Sequence, residues 1–242
     1  MSNLISLKTD KKIVFVGDTH GDLDATKKVI YKFLKPGYII VFLGDYVDRG
    51  KYSRENVDFL LKIKKENPKQ VYLLLGNHDS VESCALYASD FWDDLTSKEK
   101  KFYSNIFSKF PLVFTCKNII ACHGVLPDFK DIREVNEIST CDESWMRLLW
   151  GDFEDKKGES LDGFAGRPTF GKDYFKRVMK NFGKDVLIRG HQPLAKGYMF
   201  NRHCLTLLSS DLYGKKLIAI ADMSKKIKSA KDLKVFDLDK IR

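Results

Sequence analysis

The 242-residue sequence contains no run of 18 apolar residues, the length a helix needs to cross a bilayer, so no membrane-spanning segment is expected. Its first residues lack a long apolar core behind a basic start, and no secretory leader is expected either. Proline-rich, glycine/serine-rich and charge-block stretches are missing, as are internal repeats. The chain therefore reads as one domain over 1–242. Cysteine is scarce: Cys84, Cys116, Cys122, Cys141 and Cys204 are odd in number and form no Cys-x-x-Cys pair. That argues against a thiolate zinc site and leaves free or buried thiols in a reducing, cytoplasmic protein.

What is present is an ordinary globular composition, 43% hydrophobic and 31% charged, able to bury a core without staples. The net charge of +9 raises the question of an anionic partner. Because the basic residues are spread along the chain, a solvated lysine surface is the expectation, with no membrane and no nucleic-acid partner. A phosphorylated substrate would still gain from the field. Nothing specifies an oligomer, and a monomer is assumed.

Three short apolar runs, residues 13–16, 38–43 and 71–75, are rich in β-branched and aromatic residues and read as buried strands. Between them, 22–34 and 53–67 carry apolar residues at helical spacing, so parallel βαβ units are expected. Further helices are expected over 81–89, 97–109, 143–149 and 172–181, with strands at 113–114 and 119–122. Five late strands, at 186–188, 197–200, 204–208, 216–221 and 235–236, stand close together as in an antiparallel sheet. The whole predicts an α/β (α+β) architecture of two packed sheets flanked by helices.

Each early strand ends in a glycine followed by metal-ligating side chains: Gly17-Asp18-Thr19-His20-Gly21, then Gly44-Asp45, then Gly76-Asn77-His78-Asp79. Two later strands end at His123 and His191. Loops beyond strand carboxyl ends can bring side chains from several strands to one point. Carboxylate, imidazole and amide oxygen together suit manganese, iron or zinc. Asp45, in the middle motif, is the candidate bridge between two ions. Asp18 and His20 would share the first ion with it, and Asn77, His123 and His191 would hold the second. Such a pair turns a bridging water into a hydroxide near neutral pH and clamps an in-line displacement at phosphorus.

The motifs GDTHG, GDYVDRG and GNHD resemble those of the phosphoprotein phosphatase family, the serine/threonine branch of the calcineurin-like metallophosphoesterases. The likeness continues through CHGVLPD, LLWGDF and GHQPLAKGYMF, and so runs from about residue 12 to 221. It implies the calcineurin-like fold with mixed sheets, two divalent metal ions with manganese the first choice, and phosphoprotein or phosphopeptide substrates. It also implies His78 as the general acid, Asp48 as its orienting partner, and Arg49 as a phosphate ligand. A second phosphate-binding arginine is expected at Arg167, with Arg189 and Arg147 as alternatives, and a tyrosine over the site at Tyr213.

Two departures bear on substrate. The third motif ends in Asp79 where eukaryotic protein phosphatases carry glutamate, and the chain is shorter after Tyr213. Diadenosine tetraphosphate hydrolases of the same superfamily also carry that aspartate, so hydrolysis of a dinucleoside polyphosphate is the second reading. A catalytically silent phosphoprotein-binding module is the third.

Overall fold

The computed structural model describes residues 2–80, 89–161 and 166–240. The helix expected over 81–89 and residue Cys84 lie outside them, apart from Ser89. In chain order the strands are β1 (Leu4–Leu7), β2 (Lys12–Val16), β3 (Tyr38–Phe42), β4 (Val71–Leu73), β5 (Val113–Cys116), β6 (Ile119–Cys122), β7 (Asp152–Phe153), β8 (Glu159–Ser160), β9 (Thr169–Phe170), β10 (Val186–Arg189), β11 (Tyr198–Met199), β12 (Cys204–Thr206), β13 (Leu217–Asp222) and β14 (Lys234–Asp237). The helices are α1 (Leu23–Phe33), α2 (Ser53–Glu66), α3 (Asp90–Asp93), α4 (Ser97–Phe107), α5 (Glu143–Trp150) and α6 (Lys172–Phe182).

Two sheets face each other. One has the order β14-β13-β2-β3-β4, the other β1-β5-β6-β10-β12-β11. Strands β2, β3 and β4 run parallel, as their intervening helices require. Ile13, Phe15, Ile39 and Val41 point between the sheets at Phe114, Ile119, Ala121, Ile188 and Leu205. Val14, Val16, Ile40 and Phe42 point the other way, at Val29, Phe33, Val57 and Leu60 of α1 and α2. Burial on both faces is why these strands read as unbroken apolar runs rather than as alternating ones.

The late strands do not form one antiparallel sheet. β10 pairs in parallel with both β6 and β12, while β13 crosses to the other sheet and pairs antiparallel with β2 and β14. Within the segment between β10 and β12 the chain reverses twice: β11 pairs antiparallel with β12, as expected of those two neighbours, and β12 returns parallel to β10. A third sheet, β7-β9-β8, and the first strand β1 were not foreseen. The pieces of the third sheet are two residues each, too short for any periodicity to show. The two main sheets are stitched beside Asp18, where Asp18 bridges to Leu208 and Ser209 N–H donates to the Asp18 carbonyl at 3.0 Å.

Phe15 meets Phe114 edge to face across the sandwich, with ring centroids 6.0 Å apart. Phe15→Ala is expected to cost about 3–5 kcal/mol, the usual range for a fully buried phenylalanine, read as a lower denaturation midpoint at unchanged slope.

Candidate metal and phosphate site

Five strand ends converge. Asp18 and His20 follow β2, Asp45 follows β3, Asn77 and His78 follow β4, His123 follows β6, and His191 follows β10. All seven side chains are buried. His20, Asp45 and His191 adopt left-handed backbone, with φ of 41°, 54° and 71°, as do Asp48 and Arg49 at 66° and 68°. Non-glycine residues take this conformation rarely and at a cost, and such residues gather at functional sites. Here the sharp turn lets a side chain at a strand end point back over the sheet edge.

Asp45 stands at the centre. Its Oδ2 lies 3.4 Å from His123 Nε2 and 3.5 Å from His20 Nε2, and its Oδ1 accepts the His78 N–H at 2.9 Å. Asn77 Oδ1 lies 2.9 Å from both His123 Nε2 and His191 Nδ1. The His191 N–H donates to the Asp18 carboxylate at 3.1 Å. Ligand atoms of His20, Asp45 and His78 fall within 4.8 Å of one another, as do those of Asp18, Asp45 and His123. Asp45 belongs to both groups, the position a bridging carboxylate needs. Asp18 groups with His123, whereas the spacing of the first motif had paired it with His20.

The donor set fits divalent cations. His20 Nε2, His191 Nε2 and Asn77 Nδ2 are buried without a hydrogen-bond partner, an arrangement costly to keep unless something else occupies the space. His20 Nδ1 and His123 Nδ1 are tied to the carbonyls of Val47 and Leu43 at 2.8 and 2.9 Å, which leaves Nε2 of each ring facing the centre. Gly76 and Gly190 leave room: a Cβ would sit 2.3 Å from Asp45 Oδ1 at the first and 2.2 Å from Asp18 Oδ1 at the second.

The charges are arranged accordingly. Burial alone would raise the Asp45 carboxyl, but His123, His78 and His20 outweigh it and hold it well below the usual range. Burial likewise opposes charge on His123, yet Asp45 and Asp18 raise its imidazole to about 9. Asp18 is raised by burial, against the pull of His123. Burial lowers His20 to about 4 and carries His191 well down too, so both rings keep a free lone pair at neutral pH.

Beside this cluster lies a second set of groups. His78 Nδ1 lies 2.7 Å from Asp48 Oδ2, and His78 Nε2 lies 2.8 Å from the Arg49 guanidinium. Arg49 also donates to the Tyr213 hydroxyl at 3.0 Å, and the Tyr213 ring lies 6.1 Å from that of His20. Arg167 sits over the Trp150 ring with its guanidinium 3.9 Å from Asp152, which in turn is 3.6 Å from His191 Nε2. The alternatives to Arg167 are engaged elsewhere. Arg189 is fully buried and donates to Gln192 and to the Gly151 carbonyl, while Arg147 pairs with Glu143 and Tyr174.

Three acidic side chains were not foreseen as site residues. Asp79 accepts the N–H groups of Asp45, Tyr46 and Gly76 at 2.8, 2.9 and 3.0 Å, so it locks the second motif to the third. Asp90 accepts the Arg49 N–H at 2.8 Å and Asp48 Oδ1 accepts the Phe91 N–H at 2.9 Å, so α3 clamps the left-handed Asp48-Arg49 turn. Asp152 presents an orphan Oδ1 toward His191. Its signal was in the sequence, since LLWGDF places an acid directly after the glycine that ends α5.

A protonated His123 holds a proton where a cation would sit, and ligands must shed protons to bind metal. Manganese titrated into metal-free protein at pH 7.5 is expected to release about one proton per molecule, read from the dependence of binding heat on buffer ionisation enthalpy. A binding heat independent of buffer would contradict the raised His123.

Residues 11–194 match the calcineurin-like phosphoesterase family. A probable serine/threonine-protein phosphatase of Encephalitozoon cuniculi is 28% identical over 211 residues, which cover 81% of this chain and 46% of that protein. This chain thus spans about half the length of that curated relative. A solved protein serine/threonine phosphatase of Saccharomyces cerevisiae, with similarity to human phosphatase PP5, matches with a TM-score of 0.83 at 22% identity, covering 98% of this chain and 84% of its own. The cold-active protein-tyrosine phosphatase of a psychrophilic Shewanella matches with a TM-score of 0.61 at 16% identity, covering 98% and 83%. At such identities the two structures speak for the fold, and the family match over well over half of the residues settles the membership: this chain belongs to the calcineurin-like phosphoesterase family.

Proposed function

We propose that this chain is a metal-dependent protein serine/threonine phosphatase, acting on phosphoprotein or phosphopeptide substrates. The observation that carries the reading is the Asp48–His78–Arg49 chain of contacts at 2.7 and 2.8 Å, set against a buried cluster of candidate metal ligands. Such a chain supplies what cleavage of a serine or threonine phosphate needs and what cleavage of an activated ester does not: a proton for a poor leaving group. The E. cuniculi and S. cerevisiae relatives are both named serine/threonine phosphatases, which supports the same substrate class.

In this reading Asp18, His20, Asp45, Asn77, His123 and His191 hold two divalent cations, manganese first among them. Bound there, such cations lower the pKa of water and take up charge on phosphoryl oxygens. Arg49 and Arg167 bind the phosphate, the guanidinium fork matching two of its oxygens, and Tyr213 covers it. Drawing Arg49 onto phosphate frees His78 Nε2. Burial raises Asp48 to about 8 and lowers His78 to about 4, so the pair retains one extra proton up to about pH 8. With Nδ1 against Asp48, that proton leaves from Nε2 to the departing alkoxide.

Asp79 does not favour a nucleotide substrate. Its carboxylate is fully buried and accepts three backbone N–H groups, so aspartate or glutamate there bears on loop packing. The intact donor set speaks against a silent binding module.

The test is phosphate release, with and without manganese, from phosphoserine, phosphothreonine and phosphotyrosine peptides and from diadenosine tetraphosphate, with Asp45→Asn as the blank. Faster manganese-dependent turnover of the first two is expected; turnover of the dinucleotide alone would move the protein to nucleotide hydrolysis. His78→Asn is expected to lose about 10²- to 10⁴-fold on phosphoserine and far less on p-nitrophenyl phosphate. Because the pair sheds its extra proton as pH rises through about 8, wild-type turnover of phosphoserine should fall there while the nitrophenyl ester holds. Equal losses on both substrates would remove the proton-donor role.

A further inference from the structure

Among the described residues Lys216 is the only buried lysine, 5% exposed, although it follows a polar turn that would ordinarily leave it in solvent. Its Nζ lies 2.9 Å from Asp211 Oδ2, 3.2 Å from Asp22 Oδ2 and 3.9 Å from Asp239 Oδ1. Burial would lower the ammonium, and Asp211 and Asp22 outweigh it. The Lys216–Asp22 pair is buried, with side chains 6% and 9% exposed, so removing the ammonium leaves Asp22 uncompensated, whereas the Asp211 carboxylate reaches solvent and adds less.

The carboxylates are placed to matter. Asp22 stands two residues after His20; its Oδ1 caps α1 through the Ala25 N–H at 2.9 Å, and its Oδ2 accepts the Asp211 N–H at 3.0 Å. Asp211 opens a single 3-10 turn, Asp211–Tyr213, closed by Gly214 in left-handed backbone. The far end of that turn is Tyr213, whose hydroxyl accepts from Arg49. The turn has little apolar anchorage of its own, since Leu212 is 50% exposed. At its foot the loop is sewn down by Ser209, whose Oγ accepts the Gly17 N–H at 2.9 Å and donates to the Leu217 carbonyl at 2.6 Å. Beyond Ser210 the turn meets the His20 loop through the Asp22–Lys216 cluster and through the Tyr213 ring, 6.1 Å from that of His20.

We infer that Lys216 is a positioning residue for substrate binding, its buried ammonium clamping the Asp211–Tyr213 turn to Asp22 and so setting Tyr213 and Arg49 over the phosphate position. The clamp acts through Tyr213 and touches neither substrate nor the candidate metal ligands. It rests on the phosphatase reading only in so far as that reading places Tyr213 and Arg49 at the phosphate.

Lys216→Met keeps the apolar stem and removes the charge. With p-nitrophenyl phosphate, KM is expected to rise about tenfold while kcat stays within about twofold, since ground-state and transition-state grip are lost together. Manganese affinity should be unchanged. Lys216→Arg should restore most of the KM. In a Tyr213→Ala background, Lys216→Met should add nothing further to KM, because the residue through which it acts is gone. Amide exchange across 209–214 should quicken in Lys216→Met. Asp211→Asn, which leaves the Lys216–Asp22 pair intact, should move KM and exchange in the same direction by less, and it serves if Lys216→Met fails to fold. A KM change of equal size with and without Tyr213, or unchanged exchange in the folded variants, would overturn the clamp. If wild-type protein hydrolyses no phosphomonoester, the phosphatase reading fails, and the exchange measurement still decides the clamp.

Discussion

The site depends on keeping one carboxylate ionised where water cannot reach it. Asp45 is buried to 2% exposure, and isolated burial would protonate it. Three imidazoles, of His123, His78 and His20, prevent that. Each comes from a different strand end, so the charge state of Asp45 is a property of the fold. The two sheets must meet as they do, with β2, β3 and β4 on one side and β6 on the other, for those rings to share one carboxylate.

The convergence is bought with backbone strain. Left-handed conformations at His20, Asp45, Asp48, Arg49 and His191 are held by specific hydrogen bonds rather than by glycine. Asp79 fixes the Asp45 turn through three N–H groups, and Asp90 fixes the Arg49 turn through one. These two acids are not among the candidate ligands, yet they decide where those side chains point. A chain that lost them would keep every candidate ligand and lose their mutual geometry.

Much of this was legible in the sequence, for a physical reason. Strands buried on both faces leave unbroken apolar runs, and a glycine followed by Asp, Asn or His at their ends marks where the chain turns over a sheet edge. Hence 13–16, 38–43, 119–122 and 186–188 were found as strands, and the side chains beyond them are brought together. Pairing was less legible. Turn composition shows that the chain changes direction between 186 and 236, but whether a strand joins its sequence neighbour or crosses to the other sheet depends on which apolar face it must cover. β13 therefore keeps its expected neighbour β14 but takes β2, not β12, on its other side. Acids that bond backbone amides, such as Asp79 and Asp90, escape sequence reading because an aspartate beside a turn has the same appearance whatever its partner.

The same contrast separates chemistry from substrate. The floor of the site is built from buried residues whose types are dictated by the charges they must carry, so motif spacing reports it well. The rim is different: Arg49 is exposed, Arg167 and Tyr213 are half-buried, and each is held by a few polar contacts to Tyr213, Asp152 or the Asp22–Lys216 cluster. Rim contacts of this kind can be rearranged without disturbing Asp45 or its histidines. The buried cluster of candidate metal ligands and the rim are therefore separable: the rim can change how a substrate is held while the cluster keeps its geometry. Asp22, Asp152, Asp211 and Lys216 are the residues that brace this rim, and they lie outside the motifs that supply the buried cluster.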